Sequence, residues 1–152
     1  MQDLKWSCLN FEQLSPALLY SILQLRAEVF VVEQKCVYQD PDGYDQQALH
    51  VIGRLNEDLV CYTRILPPGL KYQGPAIGRV VTSHAIRGSG YGAPLMQKSI
   101  GYCRQHWPDA AVHVSAQQYL EKFYIKLGFA TVSEMYLEDE IPHIEMVLKI
   151  DQ

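Results

Sequence analysis

The segment Arg87-Gly88-Ser89-Gly90-Tyr91-Gly92 determines how the rest of this chain is interpreted. Its glycines permit positive φ angles and let the main chain approach a ligand closely. A strand is expected at 76–83 and a helix directly after the segment. The first N–H groups of a helix lack partners inside it and carry positive dipole, so phosphate is favoured there. Because Arg87 adds a charged fork for the same anion, we interpret 87–92 as a candidate phosphate-binding loop.

The glycine spacing alone fits three kinds of loop: an empty turn, a dinucleotide loop and a coenzyme A loop. Residues 88–93 also satisfy the GxGxx[GA] pattern of dinucleotide-binding folds. That pattern should follow the first strand of a βαβ unit, with an acid at the end of the next strand. Here it follows a predicted antiparallel hairpin, and Asp109 precedes the next strand instead of ending it. The surrounding elements therefore argue against a dinucleotide fold.

The elements before the loop are predicted to be one helix and three strands. The helix begins at Ser15, a typical N-cap residue, with Pro16 at its first position. Its apolar stripe consists of Leu18, Ile22, Leu25 and Val29. The polar segment 33–47 is predicted to be a loop. Two β-rich runs, at 50–55 and 59–66, flank a short polar turn and predict a hairpin, and the strand at 76–83 follows.

The elements after the loop are predicted to be a helix ending near Trp107, a strand at 111–115, a helix at 117–127 and two strands around 129–136 and 144–150. Gly128 fits the position just past the end of a helix. Antiparallel strands thus come first, and a strand–helix–strand unit follows. The order predicts an α/β protein with one mixed sheet and helices on its faces.

Composition limits the classes of function. The 152 residues, 1–152, suit a single domain, and the net charge of −4 disfavours general binding to nucleic acid or a membrane surface. Neither an apolar run long enough to cross a bilayer nor a signal-peptide core is present, so we expect a cytoplasmic protein. The four cysteines are too far apart to form a CxxC pair, and we expect no metal site.

Two separated motifs resemble those of the GNAT N-acetyltransferase superfamily. Residues 87–92 match its RxxGxG signature, and QQYLEKFYIKLGF at 117–129 resembles its Nxx[A]xxFYxxxGF helix. Further stretches resemble the small bacterial ElaA-type branch, at 25–26, 29–34, 38–40, 42–43 and 141–144. The resemblance covers nearly the whole chain. It implies a GNAT acyl-CoA N-acyltransferase fold: one domain with a mostly antiparallel sheet, a central parallel pair that splays apart, and flanking helices.

The resemblance also implies acetyl-CoA as co-substrate and a pose for it. The backbone of Val80, Val81 and Thr82 would hydrogen-bond the pantetheine arm, and an N–H at Val81 or Thr82 would stabilise the thioester oxyanion. The pyrophosphate would bind the N–H groups of Gly88, Ser89, Gly90, Tyr91 and Gly92. Two positions depart from the usual pattern. Thr82 replaces an apolar residue, and Gln117 replaces Asn but offers similar hydrogen bonds from a longer arm.

Acetyl transfer to an amine requires the amine to lose a proton and the departing thiolate to gain one. Tyr124 aligns with the superfamily tyrosine that protonates the thiolate, although it also fits the buried face of its helix. Glu33, His50 and His143 are candidates for the base, and each also has a structural interpretation. Arg26, Arg64 and Arg79 lie among apolar residues and need partners if buried. Those partners are Glu33, the aspartates at 40, 42 and 45, or a substrate carboxylate.

The leading hypothesis is an N-acetyltransferase in which a primary amine attacks acetyl-CoA directly in a ternary complex. The acceptor is a small molecule or a peptide, and the protein is a monomer or a homodimer. The first alternative is an acyl-CoA-binding sensor without catalysis. The second is an acyl-homoserine-lactone synthase, which the N-terminal pattern faintly resembles, although the chain is short for that group.

Overall fold

The computed structural model describes residues 2–150. In that range the strands are β1 (Lys5–Asn10), β2 (Leu49–Leu55), β3 (Asp58–Leu66), β4 (Ala76–Thr82), β5 (Val112–Gln117), β6 (Ala130–Thr131), β7 (Tyr136–Glu138) and β8 (Ile141–Leu148). The α-helices are α1 (Pro16–Arg26), α2 (Gly92–His106) and α3 (Glu121–Lys126). The strands form one sheet in the order β1-β2-β3-β4-β5-β8-β6, and β7 also pairs with β8. The predicted mixed sheet is confirmed.

The sheet separates at its centre. β4 and β5 are parallel and share a single pair of partners, Ala76 and His113, whereas the other neighbouring strands are antiparallel. No other residues of the two strands pair with each other, which shows that β4 and β5 diverge beyond this point. The splayed parallel pair that the family resemblance implies is therefore present.

Both faces of the sheet are covered by helices. Successive side chains on a strand point to opposite faces, so Val51 and Cys61 join one apolar cluster while Ile52 and Tyr62 join another. The first cluster includes buried residues of α2, among them Leu95, Met96, Ile100 and Cys103. The second packs against Ile22, Leu25 and Val29. The α1 stripe therefore packs on the sheet as predicted.

Helix α1 begins where the sequence places it. The Ser15 hydroxyl accepts a hydrogen bond from the Leu18 N–H at 3.1 Å, and Pro16 is the first helical residue. The helix does not simply end at Arg26, because Ala27–Glu33 continues as a π-helical segment. Such segments are often found at functional sites. Here the segment carries Glu33 at its end.

The β3–β4 ladder contains a bulge at the start of the site. Arg64 pairs with Gly78 and Tyr62 with Val81, so Arg79 and Val80 together face the single residue Thr63. Arg79 adopts φ of 50°, which is left-handed and costs a non-glycine residue free energy. The bulge reorients the strand directly before Val81 and Thr82.

Several sequence-based boundaries were wrong. β1 was not predicted; its partner β2 supplies the ladder that makes Lys5–Asn10 a strand. Gln117 is the last residue of β5, paired with His143, and α3 begins only at Glu121 after a 3₁₀ turn, Gln118–Leu120. The predicted strand at 129–136 is two short strands, β6 and β7, since each pairs separately with β8.

Candidate active site

A cavity of about 350 Å³ lies where β4 and β5 separate. It is called the central cavity below. Its walls come from β4, β5, α3, the β7–β8 hairpin and the segment after α1. It brings together the predicted site residues Val80, Val81, Thr82, Gly92, Gln117, Tyr124 and His143. Residues from both predicted motifs, far apart in sequence, therefore line one space.

The glycine loop leads into the N-terminus of α2. Gly88 and Gly90 have φ of 83° and 85°, the left-handed region that favours glycine. Tyr91 is the N-cap residue of α2, and its side chain does not cap the helix; its hydroxyl donates instead to the Gln2 carbonyl at 2.7 Å. The first N–H groups of α2 thus lack a side-chain cap, which suits an anion site.

Arg87 and Glu33 form an ion pair at the edge of this loop. The Arg87 Nη1 donates to Glu33 Oε1, and its Nη2 donates to the Thr82 carbonyl at 3.2 Å. His84 Nε2 lies 3.4 Å from the other Glu33 oxygen. The hydrogen bond from Arg87 and the charges of Arg87 and His84 hold the pKa of Glu33 below its usual value, against an opposing effect of desolvation. Glu33 does not line the central cavity.

Tyr124 is buried in the wall of the cavity. Its ring makes edge contacts with Phe123 and Phe129, with centroids 5.1 and 5.8 Å away. Burial raises the pKa of Tyr124 to about 12, so the phenol carries its proton at neutral pH. Phe123 also packs near Gly92, where an added Cβ would lie 3.5 Å from Phe123 Cζ. Helix α3 therefore places the Phe123 ring against the start of α2 and Tyr124 in the wall of the cavity.

His143 lies on β8 on the far side of the β4–β5 gap and is buried. Its Nδ1 is 2.7 Å from the Ile141 carbonyl, and its Nε2 is 3.3 Å from Glu138 Oε2. The Tyr136 ring stacks on the imidazole at 6.2 Å between centroids. The Glu138 side chain and Ser115 line the same part of the cavity.

His50 occupies a different environment. It is fully buried in β2, with Nδ1 2.6 Å from the Tyr62 hydroxyl and Nε2 2.9 Å from the Asp45 carbonyl. Burial is the main reason that its pKa is lowered. His50 does not line the central cavity, so its contacts indicate a structural role.

Three arginines and three aspartates form a charge-balanced network, and two of the arginines, Arg64 and Arg79, also line the central cavity. Arg26, which is fully buried, binds Asp40 and Asp45, both at 2.8 Å. Arg64 binds Asp42 and Asp45 at 2.7 and 3.0 Å. Arg79 binds Asp40 at 2.8 Å and Asp42 at 3.3 Å. Pairing with the aspartates, one of the partner sets weighed from the sequence, is thus confirmed.

The network explains the polar loop after α1. Burial opposes the charged form of Asp42, but hydrogen bonds from Arg64 and the Tyr44 N–H, with the charges of Arg64 and Arg79, outweigh it and lower the pKa of Asp42 to about 2. The pKa of Asp45 is likewise lowered, because its bonds to Arg26 and Arg64 outweigh burial. These ion pairs order the segment whose Cys36 and Tyr38 form one wall of the cavity.

Several residues that line the central cavity were not predicted from the sequence: Lys71, Tyr72, Ser115 and Glu138. Ser115 and Gln117 alternate with buried Val114 and Ala116 on β5, which is a period-two signal visible in the sequence. No comparable signal marks Glu138, since the hairpin that presents it exists only through pairing with β8.

Residues 2–150 contain no group of three or more His, Cys, Asp or Glu side chains arranged to hold a metal ion. Over the same range, every helix is too short or too polar to span a membrane. Cys61 and Cys103 are buried free thiols whose pKa values burial raises to about 12.

Comparison with known proteins agrees with this geometry. The family profile described as an acetyltransferase (GNAT) domain matches residues 19–150. The chain belongs to the GNAT acetyltransferase family. It is 45% identical to Protein ElaA of Escherichia coli K12 over 151 residues, covering 98% of this chain and 99% of that protein.

Solved structures show the same relationship. An acyl-CoA N-acyltransferase from Pseudomonas aeruginosa superposes with a TM-score of 0.92 at 43% identity, covering 96% of this chain and 99% of that one. An aminoglycoside 6'-N-acetyltransferase complexed with coenzyme A superposes with a TM-score of 0.73 at 15% identity, covering 96% and 98%, which shows the shared fold. The function class of this GNAT chain is therefore N-acyl transfer.

Proposed function

We propose that this protein transfers the acetyl group of acetyl-CoA to a primary amine by direct attack in a ternary complex. The observation that carries the proposal is the central cavity, which joins the uncapped start of α2, the diverging β4 and β5, and the hydroxyl of Tyr124. A thioester cofactor needs an anion site, an extended channel and an acid in that order. Gly92, the diverging strands and Tyr124 line one cavity, whereas residues 87–91 are not part of its lining.

Features of the backbone support the proposed pose of the cofactor. The pyrophosphate binds N–H groups of residues 88–92 other than that of Ser89, which donates to the Ile86 carbonyl at 3.2 Å. The α2 dipole and Arg87 favour this binding. The pantetheine arm runs along Val80, Val81 and Thr82, where β4 has lost β5 as a ladder partner. Its free backbone groups need partners, and an amide-containing arm supplies them. Gln117 reaches the same channel from the end of β5.

The chemistry requires one acid and one base. The amine nitrogen attacks the thioester carbonyl, and the backbone N–H of Val81 or Thr82 stabilises the oxyanion. The C–S bond then breaks, and Tyr124, which is protonated at neutral pH, gives its proton to the thiolate. His143 lines the cavity and accepts the proton that the amine releases.

Glu33 is the second candidate base, and its contacts support another role. Its carboxylate is bound by Arg87 and lies outside the cavity lining. A base must lie within hydrogen-bonding reach of the proton that it removes. We therefore assign proton removal to His143 and assign Glu33 to holding Arg87 beside the glycine loop.

The proposal is tested by combining binding and turnover. Isothermal titration calorimetry should show acetyl-CoA binding, and a thiol-detecting dye should report free coenzyme A when members of a panel of small-molecule and peptide amines are added. Tight binding without thiol release for any amine would indicate a non-catalytic acyl-CoA sensor instead. Absence of both binding and release would contradict the cofactor assignment itself.

A further inference from the structure

Glu138 is held at the rim of the central cavity by a tight hairpin. It pairs with Ile141 across a two-residue turn, and both turn residues, Asp139 and Glu140, have positive φ, at 49° and 65°. That backbone matches the twist of an antiparallel hairpin and gives β7 a fixed register on β8. The Glu138 carboxylate therefore has a defined position against the cavity.

Both oxygens of this carboxylate face groups of the site. The Ser115 hydroxyl donates to Oε1 at 3.2 Å, and Lys71 Nζ lies 3.7 Å from the same oxygen. His143 Nε2 lies 3.3 Å from Oε2. Glu138 is thus the anionic group closest to the residue to which we assign proton removal.

The contacts of His143 leave a place for an N–H donor. A carbonyl oxygen only accepts, so the 2.7 Å contact with Ile141 places the hydrogen on Nδ1. In the neutral ring, Nε2 then carries a lone pair that faces the Glu138 carboxylate. Nε2 and the carboxylate are both acceptors, so a hydrogen bond between them requires a proton. An alkylammonium group, which has three N–H donors, satisfies both acceptors at once.

Lys71 shows that an ammonium group reaches this carboxylate. Its Nζ lies near Glu138 and 5.5 Å from the centroid of the Tyr72 ring, which stacks on His113 at 4.9 Å. The side chains of Lys71 and Glu138 are 43% and 41% exposed. An exposed ion pair of this kind is weak, so another cation can displace it readily.

We propose that Glu138 binds the ammonium group of the acceptor, that Lys71 occupies the same place when no acceptor is bound, and that the acceptors are primary alkylamines. This inference rests on the proposed function. The bound ammonium donates to Glu138 and to His143 Nε2, and transfer of the latter proton to Nε2 leaves the neutral amine that attacks the thioester. As the amide forms, the nitrogen loses a second proton, which restores the Tyr124 phenol after that group has protonated the departing thiolate. Lys71 is therefore a competitor of the substrate.

Substitutions of Glu138 and Lys71 should have opposite effects on amine binding, which purely structural roles would not produce. Hexylamine is the probe and hexanol its neutral control, and calorimetry is done on protein saturated with coenzyme A, so no chemistry occurs. Glu138→Gln should weaken hexylamine binding roughly tenfold, since a charge-assisted contact is lost. Lys71→Met should tighten it about threefold, as expected for removal of a weak competing pair. Lys71→Met should have no effect in the Glu138→Gln background.

The matched control is Glu140→Gln, which removes the same charge two residues away and outside the cavity lining. It should leave hexylamine binding unchanged. Equal hexylamine affinity in the wild type and Glu138→Gln, or weaker binding in Lys71→Met, would overturn the inference. Because coenzyme A binding and thiol release are measured separately, failure here is distinguishable from failure of the proposed acetyl transfer. In steady-state assays that measure KM and kcat together, KM for hexylamine should rise in Glu138→Gln and fall in Lys71→Met.

Discussion

Arg87 Nη1 donates a hydrogen bond to Glu33 Oε1 and so joins the glycine loop to the end of the π-helical segment that follows α1. The pair links two residues that the sequence assigns to separate tasks, one to the anion site and one to proton transfer. It also neutralises the side chain that is proposed to bind the pyrophosphate. Cofactor affinity should therefore respond to both residues.

Arg87→Ala should raise the Kd for acetyl-CoA roughly tenfold, since one charge-assisted contact with phosphate is lost. Glu33→Gln should lower that Kd a few-fold, because it frees the guanidinium for the phosphate. Calorimetry measures both. Glu28→Gln, an exposed acid in the same segment, is the control and should change little. If Glu33→Gln leaves Kd unchanged and cuts kcat about 100-fold, Glu33 is the base instead.

Tyr124→Phe removes the proposed acid while keeping the ring and its edge contacts. We expect kcat to fall about 100-fold, the usual loss for a general acid, with an unchanged Kd for acetyl-CoA. Steady-state thiol release and calorimetry separate the two quantities. Tyr119→Phe, at an exposed tyrosine near the start of α3, is the matched control and should retain full activity. An unchanged rate in Tyr124→Phe would remove this residue from the mechanism.

The Asp42 ion pairs should make stability fall in acid. A lowered carboxyl pKa means that the unfolded chain binds the proton more tightly, so stability is present above the unfolded pKa and is lost as pH falls. For Asp42 the window runs from the ordinary pKa of 3.8 down to about 2. A pKa difference of one between the folded and unfolded states corresponds to about 1.4 kcal/mol. Solvent screens the partly exposed Asp42, so its full contribution should be only about 1 kcal/mol.

Urea unfolding of the wild type and Asp42→Asn tests this expectation. The difference in unfolding free energy between them should be largest near neutral pH and should shrink as the pH approaches 2. Asp45→Asn should show the same trend, since its pKa is lowered as well. A difference that stays constant across this range would mean that the carboxylate charge contributes nothing.

Arg79 combines a strained backbone with three polar contacts to Asp40 and Asp42. Replacing it separates these effects, because both Arg79→Gly and Arg79→Ala lose the ion pairs but only glycine adopts φ of 50° without strain. Arg79→Gly should be more stable than Arg79→Ala by about 1 kcal/mol. Lys5 is an exposed residue of β1, and there the glycine variant, Lys5→Gly, should be less stable than Lys5→Ala. If glycine is less stable than alanine at both positions, the backbone at Arg79 is not strained.

The sequence predicted the parts of the fold that depend on local signals. The Ser15 cap, the hairpin of β2 and β3, the glycine loop and the Phe123-Tyr124 helix carry turn residues, periodicity or a motif, and each lies close to where it was expected. β1 and the β7–β8 hairpin were missed or misplaced because distant strands define them. Gln117 pairs with His143 as the last residue of β5 and is therefore extended, so the helix begins at Glu121 and not at Gln117 as predicted.

The candidate site also has one part that local sequence motifs predict and another part that only the folded chain brings together. The proposed cofactor-binding half follows from two motifs. The proposed acceptor-binding half is assembled from Lys71 between β3 and β4, Ser115 on β5, and Glu138 and His143 on the β7–β8 hairpin. No motif in the sequence marks those residues as one site. The aspartates at 40, 42 and 45 had recognisable character, but their assignment to particular arginines required the folded chain.

The most direct test of acetyl transfer follows the acetyl group itself. Excess protein is mixed with carbon-13-labelled acetyl-CoA and hexylamine, and mass spectrometry measures both products over a single turnover. We expect labelled N-acetylhexylamine and free coenzyme A in equal amounts, with Tyr124→Phe forming both more slowly. Bound acetyl-CoA that persists intact, or free coenzyme A with labelled acetate and no acetylated amine, would contradict acetyl transfer to an amine.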